Sequence, residues 1–107
     1  MIRITIYKNS NGSNVGFKTS GHAEFAEYGK DIICAAVSAI TINFVNSIEA
    51  FTNDRFKIKT GDGLLKFRFQ KEPGPESKLL MDSMILGLQG IQNDYKNEYI
   101  QIIFKEV

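Results

Sequence analysis

Residues 32–51 read IICAAVSAITINFVNSIEAF, and the spacing in this stretch decides the fold. Ile33, Val37, Ile40, Phe44, Ile48 and Phe51 recur every three or four residues, the repeat of one face of an α-helix. Asp31, immediately before, is a residue type favoured at a helix N-cap. The spacing therefore predicts a helix over 32–51, roughly 30 Å long. An apolar stripe of that length needs a partner surface, and the flanking segments supply one. Upstream, residues 2–8 alternate apolar and polar, residues 9–14 are a polar run containing Gly12, and Val15, Phe17 and Thr19 alternate again, which predicts a β-hairpin. Downstream, residues 55–59 and 65–69 alternate around Thr60-Gly61-Asp62-Gly63, a second hairpin. Pro73-Gly74-Pro75 then breaks the chain. A second helix is predicted over about 77–95 with Leu80, Met84, Leu88, Ile91 and Tyr95 inward. Gly87 and Gly90 each weaken it by about 1 kcal/mol relative to Ala, or mark close packing against a neighbouring backbone. Residues 99–105 read as a last strand. The predicted order is ββαββαβ: a single two-layer α+β domain over 1–107, with one mostly antiparallel sheet and both helices on one face.

Composition narrows the function classes. At 107 residues and 43% hydrophobic, the chain holds enough apolar material for one packed core. Its start does not read as a signal peptide, and no stretch reads as the roughly 18 apolar residues of a membrane span, so a soluble, cytoplasmic protein without a membrane partner is expected. There is one cysteine and one histidine. An internal disulfide is therefore impossible, and a tetrahedral zinc site would lack ligands, so no metal or cofactor is expected. A net charge of +1 argues against strong, non-specific nucleic-acid binding.

The only cysteine, the only histidine and an aspartate fall within GHAEFAEYGKDIICAAVS, residues 21–38. Residues 21–31 follow neither period and read as a loop, with Gly21 and Gly29 as hinges. If Asp31 is the N-cap, Cys34 lies in the first helical turn, where unpaired N–H groups and the positive end of the helix favour a thiolate and offer donors to an oxyanion. A thiol paired with an imidazole is the minimal equipment for cysteine acyl transfer, with His22 as the base. Each residue also has a plainer role. Cys34 is equally a small buried hydrophobe beside Ala35 and Ala36, His22 a solvated loop residue, and Ser38 a hydroxyl bonded back to the carbonyl of Cys34. Asp31 either caps the helix or orients His22 as the third member of a triad does, and one carboxylate cannot do both.

The run Gly21-His22-Ala23, then Gly29-x-Asp31-Ile32-Ile33-Cys34-Ala35-Ala36-Val37-Ser38, resembles the signature of the ribosomal-processing cysteine proteases of Firmicutes and related bacteria. Chain length and element order are similar as well. The resemblance implies a cysteine endopeptidase that removes the N-terminal extension of a large-subunit ribosomal protein precursor, cutting after a phenylalanine-rich segment. It places the family's nucleophile on Cys34 and its general base on His22, with Asp31, Ser38, Gly21 and Gly29 in supporting positions. It further implies a homodimer and a loop that moves when substrate enters. Phe25 and Tyr28 would then form part of an apolar wall for substrate side chains.

Two other functions compete. Arg3, Lys57, Lys59, Lys66 and Arg68, with Tyr7 and Tyr99 among them, fall on the predicted solvent side of the sheet, as in a ribosome-assembly or RNA-binding module, or simply as a solvated face. A redox-sensing thiol would use Cys34 without His22.

Overall fold

The computed structural model describes residues 1–21, 28–95 and 99–107, with only the backbone described at 28–31. The elements run β1 (Ile2–Lys8), β2 (Asn14–Ser20), α1 (Tyr28–Phe51), β3 (Phe56–Gly61), β4 (Leu64–Phe69), α2 (Pro75–Asp94) and β5 (Ile100–Glu106), which is the predicted ββαββαβ. The five strands form one sheet in the order β3-β4-β2-β1-β5. Both hairpins and the β2–β4 pair are antiparallel, whereas β5 lies parallel to β1. A parallel pair needs a long crossover, and the chain between β4 and β5, which includes α2, provides it.

Alternation sorts the strand residues cleanly. Ile2, Ile4 and Ile6 of β1 are buried, as are Phe17, Phe67 and Ile100 on neighbouring strands. These side chains meet α1 through Ile33, Val37, Phe44, Val45 and Ile48, and α2 through Met81, Met84, Ile85 and Leu88, in one core. Both helices therefore cover the same face of the sheet. At the centre, the Phe44 ring stands edge-on to Phe67 and Phe17, with centroids 5.0 and 5.7 Å away. Such pairs add about 0.5–1.5 kcal/mol each beyond their area burial.

Several expectations change in detail. Helix α1 begins at Tyr28, so the expected N-cap Asp31 is inside it and Gly29 belongs to its first turn. Phe51, expected on the inner stripe, is 75% exposed, and Tyr95 at the end of α2 is exposed as well. The stripe instead includes Thr41, which is buried because its hydroxyl donates to the Val37 carbonyl at 2.8 Å. Gly87 does mark a close approach, but to a side chain: a Cβ there would lie 3.3 Å from Ile40 Cδ1. Residues Ile32–Phe51 are also long and apolar enough, by composition, to cross a membrane, contrary to the expectation that no stretch would be. Here their apolar stripe packs on the sheet and on α2.

The start of α2 is held from outside. Gly74 sits at its N-cap and has no side chain to cap with. Asp54, 20 residues earlier, accepts from the Gly74 amide at 3.0 Å and from the buried Ser77 hydroxyl at 2.5 Å. The Ser77 bond, and then the Gly74 bond, hold the Asp54 carboxyl below its usual pKa. A second polar cluster joins the β1–β2 turn to the segment before α2. Glu72 accepts from Asn9 at 2.8 Å, from Asn11 at 3.2 Å and from the Ser13 hydroxyl, and it pairs with Lys78 at 3.4 Å.

Candidate active site

Cys34 is the seventh residue of α1 and is half-buried. Its side chain packs against the edge of the core. It also lines an open cleft of about 340 Å³ between α1 and the end of the sheet. The thiol is thus neither sealed under the core nor on a bare surface. The early start of the helix changes one part of the expected chemistry. The four unpaired N–H groups of a helix belong to its first residues, here 28–31, so the Cys34 amide lies within the hydrogen-bonded ladder and is no spare oxyanion donor. The helix cannot be capped by Asp31 either.

Four structural units form the cleft. Helix α1 supplies Cys34, Ser38 and Ile42 on its wall, β1 and β2 supply Ile2 and Thr19, and Gly21 stands at the rim. The opposite wall is the tip of the β3–β4 hairpin, including Thr60, Gly63 and Leu65. This wall exists because Asp62 and Gly63 form a two-residue turn between the paired Gly61 and Leu64, with Gly63 at φ 64°. The lining is mostly apolar, with scattered hydroxyls.

The structure brings Cys34, Ser38 and Gly21 to this one cleft. Ser38 is exposed, and its hydroxyl does not bond back to the Cys34 carbonyl; the back-bonding hydroxyl in this part of α1 is that of Thr41. Gly21 has φ 87°, and its amide donates to the Gly63 carbonyl at 3.0 Å, which ties the segment ahead of His22 to the hairpin wall. His22 and Phe25 lie outside the described residues. Tyr28, Gly29 and Asp31 are placed by backbone alone, in the first turns of α1. The sequence reading missed the hairpin wall. Its motif, Gly61-Asp62-Gly63, signals only a turn, and nothing local says which helix that turn will face.

Solved structures of this architecture include enzymes bound to peptides. The family described as "Cysteine protease Prp" matches residues 1–101. A Bacillus subtilis protein named ribosomal processing cysteine protease Prp is 33% identical over 103 residues, spanning 91% of this chain and 92% of its own length. Two crystal structures of the Staphylococcus aureus protease Prp are 34% identical to this chain, covering 98% of it and 100% of theirs. The complex with a substrate peptide superposes with a TM-score of 0.90, and the complex with a covalently linked product peptide with 0.88. A thiol at the edge of an open cleft and a full-length likeness to enzymes captured on peptides agree: the chain belongs to the Prp family of cysteine proteases.

Proposed function

We propose that this chain removes the N-terminal extension of a large-subunit ribosomal protein precursor in the cytoplasm, with Cys34 as nucleophile and His22 as general base. The observation that carries the reading is the position of Cys34, half-buried on the wall of an open, mostly apolar cleft. A cysteine protease needs a thiol, and this chain has one. The related S. aureus enzyme holding a covalently linked product supports a covalent route. Gly21, which lines the same cleft as Cys34, immediately precedes His22 in the chain.

In the proposed reaction, the Cys34 Sγ proton passes to His22 and the thiolate attacks the scissile carbonyl carbon. The C–N bond then breaks, and the imidazolium returns the proton to the leaving amine. Water hydrolyses the resulting thioester and releases the acid. Asp31 would orient His22, as the third member of a triad does. Positions 31, 34 and 38 are spaced to share one helix face, which suits Asp31 and Ser38 as supports of the site. Phe25 and Tyr28 would extend the apolar lining towards a phenylalanine-rich substrate segment. Gly21 and Gly29 bracket the segment proposed to move as substrate enters.

A homodimer is also proposed. Leu79 and Leu86, two turns apart on the outer side of α2, are each 71% exposed, an apolar face suited to a second copy. Sedimentation at micromolar concentration tests this. The function itself is tested by incubating candidate ribosomal protein precursors with the enzyme and with Cys34→Ala, read by mass spectrometry. Cleavage of a precursor next to its phenylalanine-rich segment, abolished in Cys34→Ala, is expected. Cleavage that survives Cys34→Ala would overturn the assignment.

A further inference from the structure

The sheet face opposite the helices carries the protein's charge in an ordered form. Register places Lys59 opposite Lys66 and Lys66 opposite Lys18, so three lysines from β3, β4 and β2 form one row across the strands. One step along the strands, Lys57 stands opposite Arg68, and that row continues through Gly16 and Tyr7 to Lys105. Arg3 projects on the same face from β1. Among the described residues, no strand position on this face is an Asp or Glu. Most of these cations are exposed, and Lys66 Nζ lies 5.9 Å from the centroid of the half-buried Tyr7 ring.

A net charge of +1 hides this segregation, because most of the acids lie elsewhere. Like charges directly opposite each other on neighbouring strands destabilise a sheet. A face kept only for solubility would alternate signs, as the opposing Lys8 and Glu106 do where β1 meets β5. Adjacent strands are about 4.8 Å apart, so each row is a line of closely spaced positive charge. We propose that this face docks RNA, the cation rows following its phosphate backbone.

The face is unsuited to the protease's own substrate. A ribosomal protein is built to hold RNA and is itself basic, so these rows repel it; this exclusion rests on the function proposed above. The cleft lies on the helix side of the sheet, so RNA on the opposite face leaves it open. The enzyme would thereby be held near RNA-bound substrate without blockage of its site.

The test is kept independent of cleavage by using full-length Cys34→Ala protein and a fluorescently labelled single-stranded RNA of about 20 nucleotides, followed by anisotropy from about 50 mM salt upward. Saturable, salt-sensitive binding is expected. Replacing Lys18, Lys59 and Lys66 together with Gln is expected to weaken it roughly tenfold and to flatten the log–log salt slope by about 2, since each phosphate contact on a single strand contributes about 0.7. The same substitutions at Lys8, Lys71 and Lys78 remove equal charge off the face and are expected to change affinity less than about twofold. The melting temperature of the on-face variant is expected to hold or rise, because like-charge neighbours are removed. Absence of binding at low salt, equal loss in the off-face variant, or tighter binding to anionic phospholipid vesicles than to RNA would each overturn the proposal.

Discussion

The amide of Gly21 donates to the carbonyl of Gly63 across 3.0 Å, joining the residue before His22 to the hairpin that forms the far wall of the cleft. Gly21 holds φ 87°, and a Cβ there would stand 2.5 Å from the Met1 carbonyl oxygen. A side chain at this position is strained in its backbone and also collides with β1's entry. Gly21→Ala is expected to cost about 1–3 kcal/mol, a melting-point loss of at least several degrees in a domain this size. Its kcat/KM should fall further than its remaining folded fraction explains, because Gly21 lines the same cleft as Cys34. A variant that melts and cleaves like the parent would show the glycine to be incidental.

The thiol–imidazole pair predicts a pH profile. The rate should fall on the acid side as the thiolate and the neutral or shared proton state of the pair are lost, and His22→Ala should remove most activity at every pH. A cleavage rate that stays flat across the whole acidic range in which the protein remains folded would count against the pair.

Asp54 caps α2 from another part of the chain, and Ser77, which donates to it, is fully buried. Removing the carboxylate leaves both the Gly74 amide and the Ser77 hydroxyl without their acceptor. Asp54→Ala is therefore expected to cost about 2 kcal/mol, near the upper end of cap losses, because a buried donor is orphaned as well. Asp54→Asn keeps one acceptor oxygen and should lose less. Urea melts of the two variants distinguish capping from charge.

Glu72 sets an acid limit on stability. Hydrogen bonds from Ser13, then Asn9 and Asn11, with Lys78 contributing least, hold its pKa down at about 2, from an ordinary 4.5. A carboxyl whose folded pKa is depressed gives stability that is complete above the unfolded value and is lost as pH falls towards the folded one. Its contribution should therefore decline between about pH 4.5 and 2. Asp54 acts in the same direction. Glu72→Gln should flatten this part of the stability–pH curve while barely altering stability slopes above pH 6. An unchanged acid slope would mean that the cluster is not formed in solution.

Much of this was legible locally, and the exceptions share a cause. Period 2 and period 3.6 gave the seven elements, because each depends on neighbours a few residues away. The start of α1 was not legible. GHAEFAEYGKD has no period, and Gly29 argues against a helix that nevertheless begins at Tyr28. The cap on α2 comes from Asp54, and the wall facing Cys34 from a distant hairpin. Sheet order and these contacts are long-range pairings that no local pattern encodes. For the site, the motif named Cys34 and His22, while the shape of the cleft awaited the fold.

Two glycines of α2 that look alike in sequence part company in space, which allows a last prediction. At Gly87 an added Cβ meets Ile40 Cδ1 at 3.3 Å, whereas at Gly90 nothing lies within 4 Å and the backbone is not in the left-handed region. Alanine in a helix interior is favoured over glycine by about 0.8–1 kcal/mol. Gly90→Ala should gain nearly all of that and raise the melting temperature by a few degrees. Gly87→Ala should gain less, because Ile40 must shift by a few tenths of an ångström to admit the methyl. Pairing Gly87→Ala with Ile40→Val removes the methyl that blocks it and should recover part of the difference, a non-additivity that a double-mutant cycle measures directly. Equal gains at 87 and 90, with no coupling to Ile40, would mean that the two helices pack less closely than this geometry requires.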